Sequence, residues 1–160
     1  MKASDLMKNL ESDPEYQAMK KREAKDLEEN VTLLAEDERD IIEELGAIGY
    51  EIESVWDFVN SNNRYEFLRK FNSSYNTAYS ILVKHLNVEH HPRIREGIIR
   101  ALTEKDANEI ASEALLEAFY QEKDIGLKWV LANALRTVLT RSQKAKHPEY
   151  KVVYNGKGQP

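Results

Sequence analysis

The side chains of this chain best suited to move protons or hold metal are its four histidines and an acidic run, Glu36-Asp37-Glu38. His85, His90 and His91 fall close together, but metal capture needs three or four convergent ligands and a fitted second shell of hydrogen bonds. Only His90-His91 is an adjacent pair, in a loop before Pro92, so no metal is expected there. These histidines are expected at or just past a helix end, where an imidazole meets the negative dipole and free carbonyls. The acidic run solvates a helix face more readily than it yields a catalytic pair. With no cysteine, disulfides, thiolate metal sites and a cysteine nucleophile are excluded. Phosphate-cradling glycine loops, H-E-x-x-H and G-x-S-x-G are all missing, so no catalytic residue and no cofactor is assigned.

Charge is the next chemical signal. Residues 1–83 hold 10 Lys+Arg against 18 Asp+Glu, a net of -8, while residues 84–160 stand at +3 and the whole chain at -5. The basic half, with Arg93, Arg95, Arg100, Lys128, Arg136 and Arg141, admits a phosphate-binding reading, although exposed cations on helices are most often plain solvation. No 18-residue apolar run occurs, and the amino terminus lacks the apolar core of a signal peptide. The expectation is a soluble, cytoplasmic protein with no membrane partner.

The elements that must position these groups read as helices throughout. With 160 residues, one domain with appendages is expected. Ser4 or Asp5 caps a short first helix, and Asp13-Pro14 starts a long one reaching Leu45. Its first half is charged, expected as a solvated helix rather than a partner-binding arm, and its second half carries Val31, Leu34, Ile41, Ile42 and Leu45. Gly46 and Gly49 end it. Ser54 caps a helix with Val55, Trp56, Phe58 and Val59, and a further helix over 64–71 presents Tyr65, Leu68 and Phe71. After a turn at Asn72-Ser73-Ser74, Tyr75 to Leu86 turns Tyr79, Leu82, Val83 and Leu86 inward. Pro92 opens a helix with Ile94, Ile98, Ala101 and Leu102 inside, where Gly97 admits a neighbouring backbone. Asp106 or Asn108 caps the next, with Ile110, Ala114, Leu115, Ala118 and Phe119 buried, and the last long helix buries Leu127, Val130, Leu131, Ala134, Leu135 and Val138. From Lys144 the pattern fails, and an extended or disordered tail comes after it. The divisions are residues 1–45 as amino-terminal helices, 46–143 as the body and 144–160 as a flexible tail.

Within the body lies a repeat. At an offset of 33, Ile94 meets Leu127, Arg95 meets Lys128, Ile98 meets Leu131 and Ala101-Leu102 meets Ala134-Leu135. The preceding helices match too, Leu82 onto Leu115 and Leu86 onto Phe119. Such a period means stacked helix pairs. Over about residues 75–141 the pattern resembles the HEAT-like, armadillo-related α-solenoids, with Pro92-Arg93-Ile94-Arg95 standing where that family has an aspartate-valine-arginine core and Lys128 replacing its arginine. The amino-terminal half is also similar to small bacterial HEAT-like proteins. The fold expected is therefore all-α, a HEAT-like helical-hairpin stack with an irregular amino-terminal region.

HEAT-like folds act as binding surfaces, their second helices lining a concave face. The resemblance places Arg93, Glu96, Arg100, Trp129, Asn133 and Arg136 on that face as partner-binding residues, with solvent exposure as the plainer reading. It implies a non-catalytic protein-binding module, an immunity- or antitoxin-type inhibitor being one form. The alternatives are a nucleic-acid-binding HEAT-like protein and an enzyme with a pocket between helices.

Overall fold

The computed structural model describes residues 11–60 and 74–154, and every regular element among them is helical. In chain order these are α1 (Pro14–Ala47), α2 (Trp56–Asn60), α3 (Tyr79–Leu86), α4 (Pro92–Ala101), α5 (Asn108–Gln121), α6 (Ile125–Val138), α7 (Arg141–Lys146) and α8 (Tyr150–Tyr154). Short 3-10 turns at Asn76–Ala78 and Lys105–Ala107 lead into α3 and α5. The helix expected near Ser4, the one over 64–71 and the last residues of the tail lie outside the described residues. No helix among the described residues is long and apolar enough to cross a membrane.

The chain divides into two compact units, Met1–Glu36 and Asp37–Pro160. In the first, Pro14 opens α1 and the Asp13 carboxylate accepts the Glu15 amide at 2.8 Å, satisfying one donor left free at a helix start. The described residues of this unit are almost all exposed. Leu27 stands 66% open, and Val31, expected in the apolar stripe, stands 59% open.

The second unit holds the core. Glu38, Ile41 and Leu45 are its buried contribution from α1, which ends where the Tyr50 amide returns to the Leu45 carbonyl at 3.0 Å and Gly49 takes a φ of 100°. The Glu38 carboxylate caps the turn into α2, accepting Ser54 Oγ and the Val55 amide, both at 3.0 Å. Burial raises its proton affinity above the ordinary carboxylate value, against the opposing pull of those two bonds.

Past α2, the helices form two hairpins, α3 with α4 and α5 with α6. Contacts also run between α3 and α5, between α4 and α6, and between α2 and α4. Tyr79, Leu82, Leu86, Ile94, Ile98, Leu102, Leu115, Leu131 and Leu135 are all buried, the side chains that the apolar periodicity assigns to the interior. Gly97 admits α2 so closely that a Cβ there would stand 2.8 Å from Val55 Cγ2 and 2.9 Å from Trp56 Nε1.

Three further expectations need correction. Ile110 is 47% exposed, and Ala111 takes its place inside, because α5 packs on both α3 and α6 and small side chains allow the double contact. Neither Asp106 nor Asn108 caps α5: Asp106 accepts Ser74 Oγ and Tyr79 OH, each at 2.6 Å, while the Asn108 amide donates to the Val138 carbonyl at 2.8 Å. The segment expected as an extended tail is helical in α7 and α8. Thr140 and Gln143 form a capping box at the start of α7, Tyr150 is buried in α8 against α6, and Tyr120 OH donates to the Glu149 carboxylate at 2.9 Å.

Gly97→Ala is expected to destabilise the fold by about 1–3 kcal/mol through overpacking, read as a lowered urea midpoint with unchanged slope; an unchanged midpoint refutes the close packing. Glu38→Ala strands the Val55 amide and costs about 1–3 kcal/mol, whereas Glu38→Gln keeps an acceptor and sheds a buried charge, and so stays near wild type at neutral pH. Since folding raises the Glu38 value, the folded chain takes up that proton first and gains stability as pH falls through it; the Gln variant lacks that gain.

Candidate binding groove

Between α4 and α6 runs a groove of about 470 Å³, walled by Arg93, Glu96 and Arg100 on one side and by Asp124, Leu127 and Trp129 on the other. Helix periodicity makes both walls, since positions 93, 96 and 100 recur at three- and four-residue steps opposite the buried Ile94 and Ile98. Each helix is started by a cap at the rim. His91 Nδ1 accepts the Arg93 amide at 3.1 Å before α4, and the Asp124 carboxylate accepts the Leu127 amide at 2.8 Å before α6.

Glu96 organises the charged wall. Its carboxylate accepts Arg100 Nε at 2.8 Å and lies 3.7 Å from Arg93 Nη1, so one anion holds two cations. The Arg93 guanidinium also stacks 3.9 Å above the Trp56 ring, whose Nε1 donates to the Arg93 carbonyl at 3.2 Å. On the opposite wall Trp129 is half-buried, and its indole N–H is shut off from solvent without an acceptor. A buried donor left unpaired costs about 1–3 kcal/mol.

Four of the surface residues implied by the resemblance, Arg93, Glu96, Arg100 and Trp129, thus line one groove. Asn133 and Arg136 lie outside that lining, the first half-buried and the second exposed. Sequence reasoning missed Asp124 as a wall residue and Trp56 as the platform under Arg93. The signal for Asp124 was its place 33 residues after His91, the matching cap. Arg95 and Lys128, grouped with a phosphate-binding surface, turn inward: Arg95 bonds Glu122 at 3.2 Å and the Leu86 carbonyl at 2.8 Å, and Lys128 sits 5.0 Å over the Phe119 ring.

The histidines also differ from expectation. His85 is buried at 5% exposure, and its ring meets that of His90 rather than the carbonyls at the end of α3. Asp37 and Glu44, two turns apart on α1, hold the two rings from either side at 3.0 and 3.1 Å. No group of three or more histidines and acids among the described residues is arranged to hold a metal ion.

Replacing Trp129 with Phe removes the unpaired donor while keeping most of the apolar area. Its expected effect is a stability equal to wild type or about 1 kcal/mol higher in chemical denaturation; a loss above about 2 kcal/mol would mean that the indole N–H has a partner in solution. Among known proteins, no family model, curated protein or solved structure matches this chain.

Proposed function

We propose that this chain is a non-catalytic protein-binding module built as a HEAT-like stack of two helical hairpins, and that the α4–α6 groove receives its partner. An inhibitor of the immunity or antitoxin type is one form that such a module takes. Support for the stack comes from equivalent positions doing equivalent work at the offset of 33. His91 and Asp124 both cap second helices. Arg95 and Lys128 both reach a main-chain carbonyl at the end of the first helix, at 2.8 and 3.5 Å. Tyr75 and Asn108 both donate to a carbonyl near the end of their own hairpin's second helix, each at 2.8 Å. The helix contacts α3 to α5 and α4 to α6 run in the sense that stacking requires.

The observation that carries the binding role is the half-buried Trp129 ring lining one groove with a fixed Glu96–Arg100 pair. A protein segment could lay apolar area on the part-exposed Trp129 ring and an acid beside Arg100, and interface centres favour tryptophan and arginine. Catalysis is less well served. The groups whose proton affinities are clearly displaced, Glu38, Glu44, Tyr75, Tyr79 and Asp106 among them, all lie outside the groove lining. A phosphate-binding surface is weakened by the inward turn of Arg95 and Lys128 and by the hold of Glu96 on Arg93 and Arg100.

The test compares wild type with a Trp129→Ala, Arg100→Glu variant as bait in extracts of the native host. One protein retained stoichiometrically by the wild type and lost by the variant is the expected result, with affinity falling more than about thirtyfold when the purified pair is titrated. Equal retention by both baits, or tight binding to duplex DNA at low salt with no protein partner, would refute the reading.

A further inference from the structure

The two buried histidines define a site apart from the groove. Every nitrogen of the two rings has a neighbour: His90 Nδ1 lies 3.0 Å from Asp37 Oδ2, His90 Nε2 lies 3.2 Å from His85 Nδ1, and His85 Nε2 lies 3.1 Å from Glu44 Oε1. Lys84 donates to the same Glu44 oxygen at 2.7 Å, and the His91 amide donates to Asp37 at 3.1 Å. The side chains of both histidines are only 6% exposed, so bulk water does not bridge these gaps and no substrate reaches the rings.

Each of the three gaps needs one hydrogen between its two heavy atoms. Ionised carboxylates bring none, and a neutral imidazole brings one. Two neutral rings therefore fill two gaps and leave lone pairs opposed in the third. Two cationic rings bring four hydrogens and set two N–H groups against each other in the 3.2 Å gap between them. With both carboxylates ionised, three ring protons alone satisfy the arrangement.

We propose that His85 and His90 share one proton beyond the two they carry when neutral, and that this proton works a latch fastening the Asp37–Leu45 part of α1 to the corner between α3 and α4. With it in place, Asp37, Glu44, Lys84 and one imidazolium make two anions and two cations, so the cluster buries no net charge. Glu44 does not supply the third hydrogen. The Lys84 bond foremost holds its carboxyl below the ordinary range, against the opposing effect of burial and with the lesser help of the His85 bond. The other charged groups nearby are otherwise engaged or exposed: Glu89 points to solvent, the His91 ring caps α4, and the Arg95 guanidinium bonds the Leu86 carbonyl and Glu122. When the shared proton leaves, one link of the chain becomes two facing acceptors. The latch therefore contributes stability on the acid side of its titration and loses it as pH rises.

Ring-nitrogen NMR on the full chain with labelled histidine reads the proton count directly. At about pH 6, near the ordinary range of histidine, three of the four ring nitrogens of His85 and His90 are expected to carry hydrogen; a count of two or four overturns the proposal. Glu44→Gln supplies an amide N–H to His85 and should lower the count to two at the same pH. Above about pH 7.5, where unfolded histidine is largely neutral, the wild-type unfolding constant should rise by up to about tenfold per pH unit across the titration, while that of the Gln variant stays flat there. Three ring protons in the variant, or the same pH profile for both chains, would also overturn it. Should the variant fail to fold, the wild-type count alone decides.

Discussion

Helix ends impose the constraint on which the rest of this molecule depends. Each helix leaves four carbonyls and four amides without partners in its own ladder, and short helices spend a large share of their residues on such ends. In α3 and α5 the exposed carbonyl ends are met by Arg95 and Lys128 from the following helix, and the starts of α4 and α6 are met by His91 and Asp124. The Arg95 and Lys128 bonds tie second helix to first at the turn of each hairpin, and Tyr75 and Asn108, donating to the Ala101 and Val138 carbonyls, tie the open ends, so polar contacts set the register and leucine and isoleucine packing the depth. The second helices of the two hairpins, α4 and α6, contact one another, and the groove lies between them.

Buried acids perform a comparable task where no repeat exists. Asp37, Glu38 and Glu44 turn from α1 toward backbone amides, a hydroxyl and the histidine rings instead of toward water. Glu38 does for α2 what a serine cap alone would do less firmly, because its carboxylate accepts both the Ser54 hydroxyl and the Val55 amide. That anion is desolvated with no cation bonded to it among the described residues, and its proton affinity rises; Glu44, bonded to Lys84, shifts the opposite way. One helix thus carries two buried or half-buried carboxylates with opposed shifts, set by whether a cation lies within reach.

The apolar periodicity made most of the second unit legible from its residues: the boundaries of α4 and α6, the buried faces of both, and the close approach at Gly97 all derive from spacing and from one missing Cβ. Ile110 misled because hydrophobicity says nothing about which of two adjacent apolar residues meets two neighbours at once, and Ala111 wins on size. Tyr150 and Thr140-x-x-Gln143 were hidden by the lysines around them, since a five-residue helix has too few turns for a periodic signal. Of the groove, Arg93, Glu96, Arg100 and Trp129 lie on the outward face that the resemblance implied, because helical spacing sets them apart from the buried stripe. The histidine chain was not legible, as its acids lie more than forty residues upstream and only folding brings them to the rings.

The groove and the histidine cluster embody two ways of treating a buried polar atom. At His85 and His90 every donor and acceptor finds a partner once a proton is added, and the result is local rigidity conditional on that proton. At Trp129 the fold leaves a donor unpaired although hydroxyl and carbonyl acceptors satisfy buried donors elsewhere in the same unit, as Tyr75 and Asn108 illustrate. Indole area packed between α4 and α6 outweighs one lost hydrogen bond in the free chain, since burying most of a tryptophan contributes more than the about 1–3 kcal/mol that the orphan N–H costs.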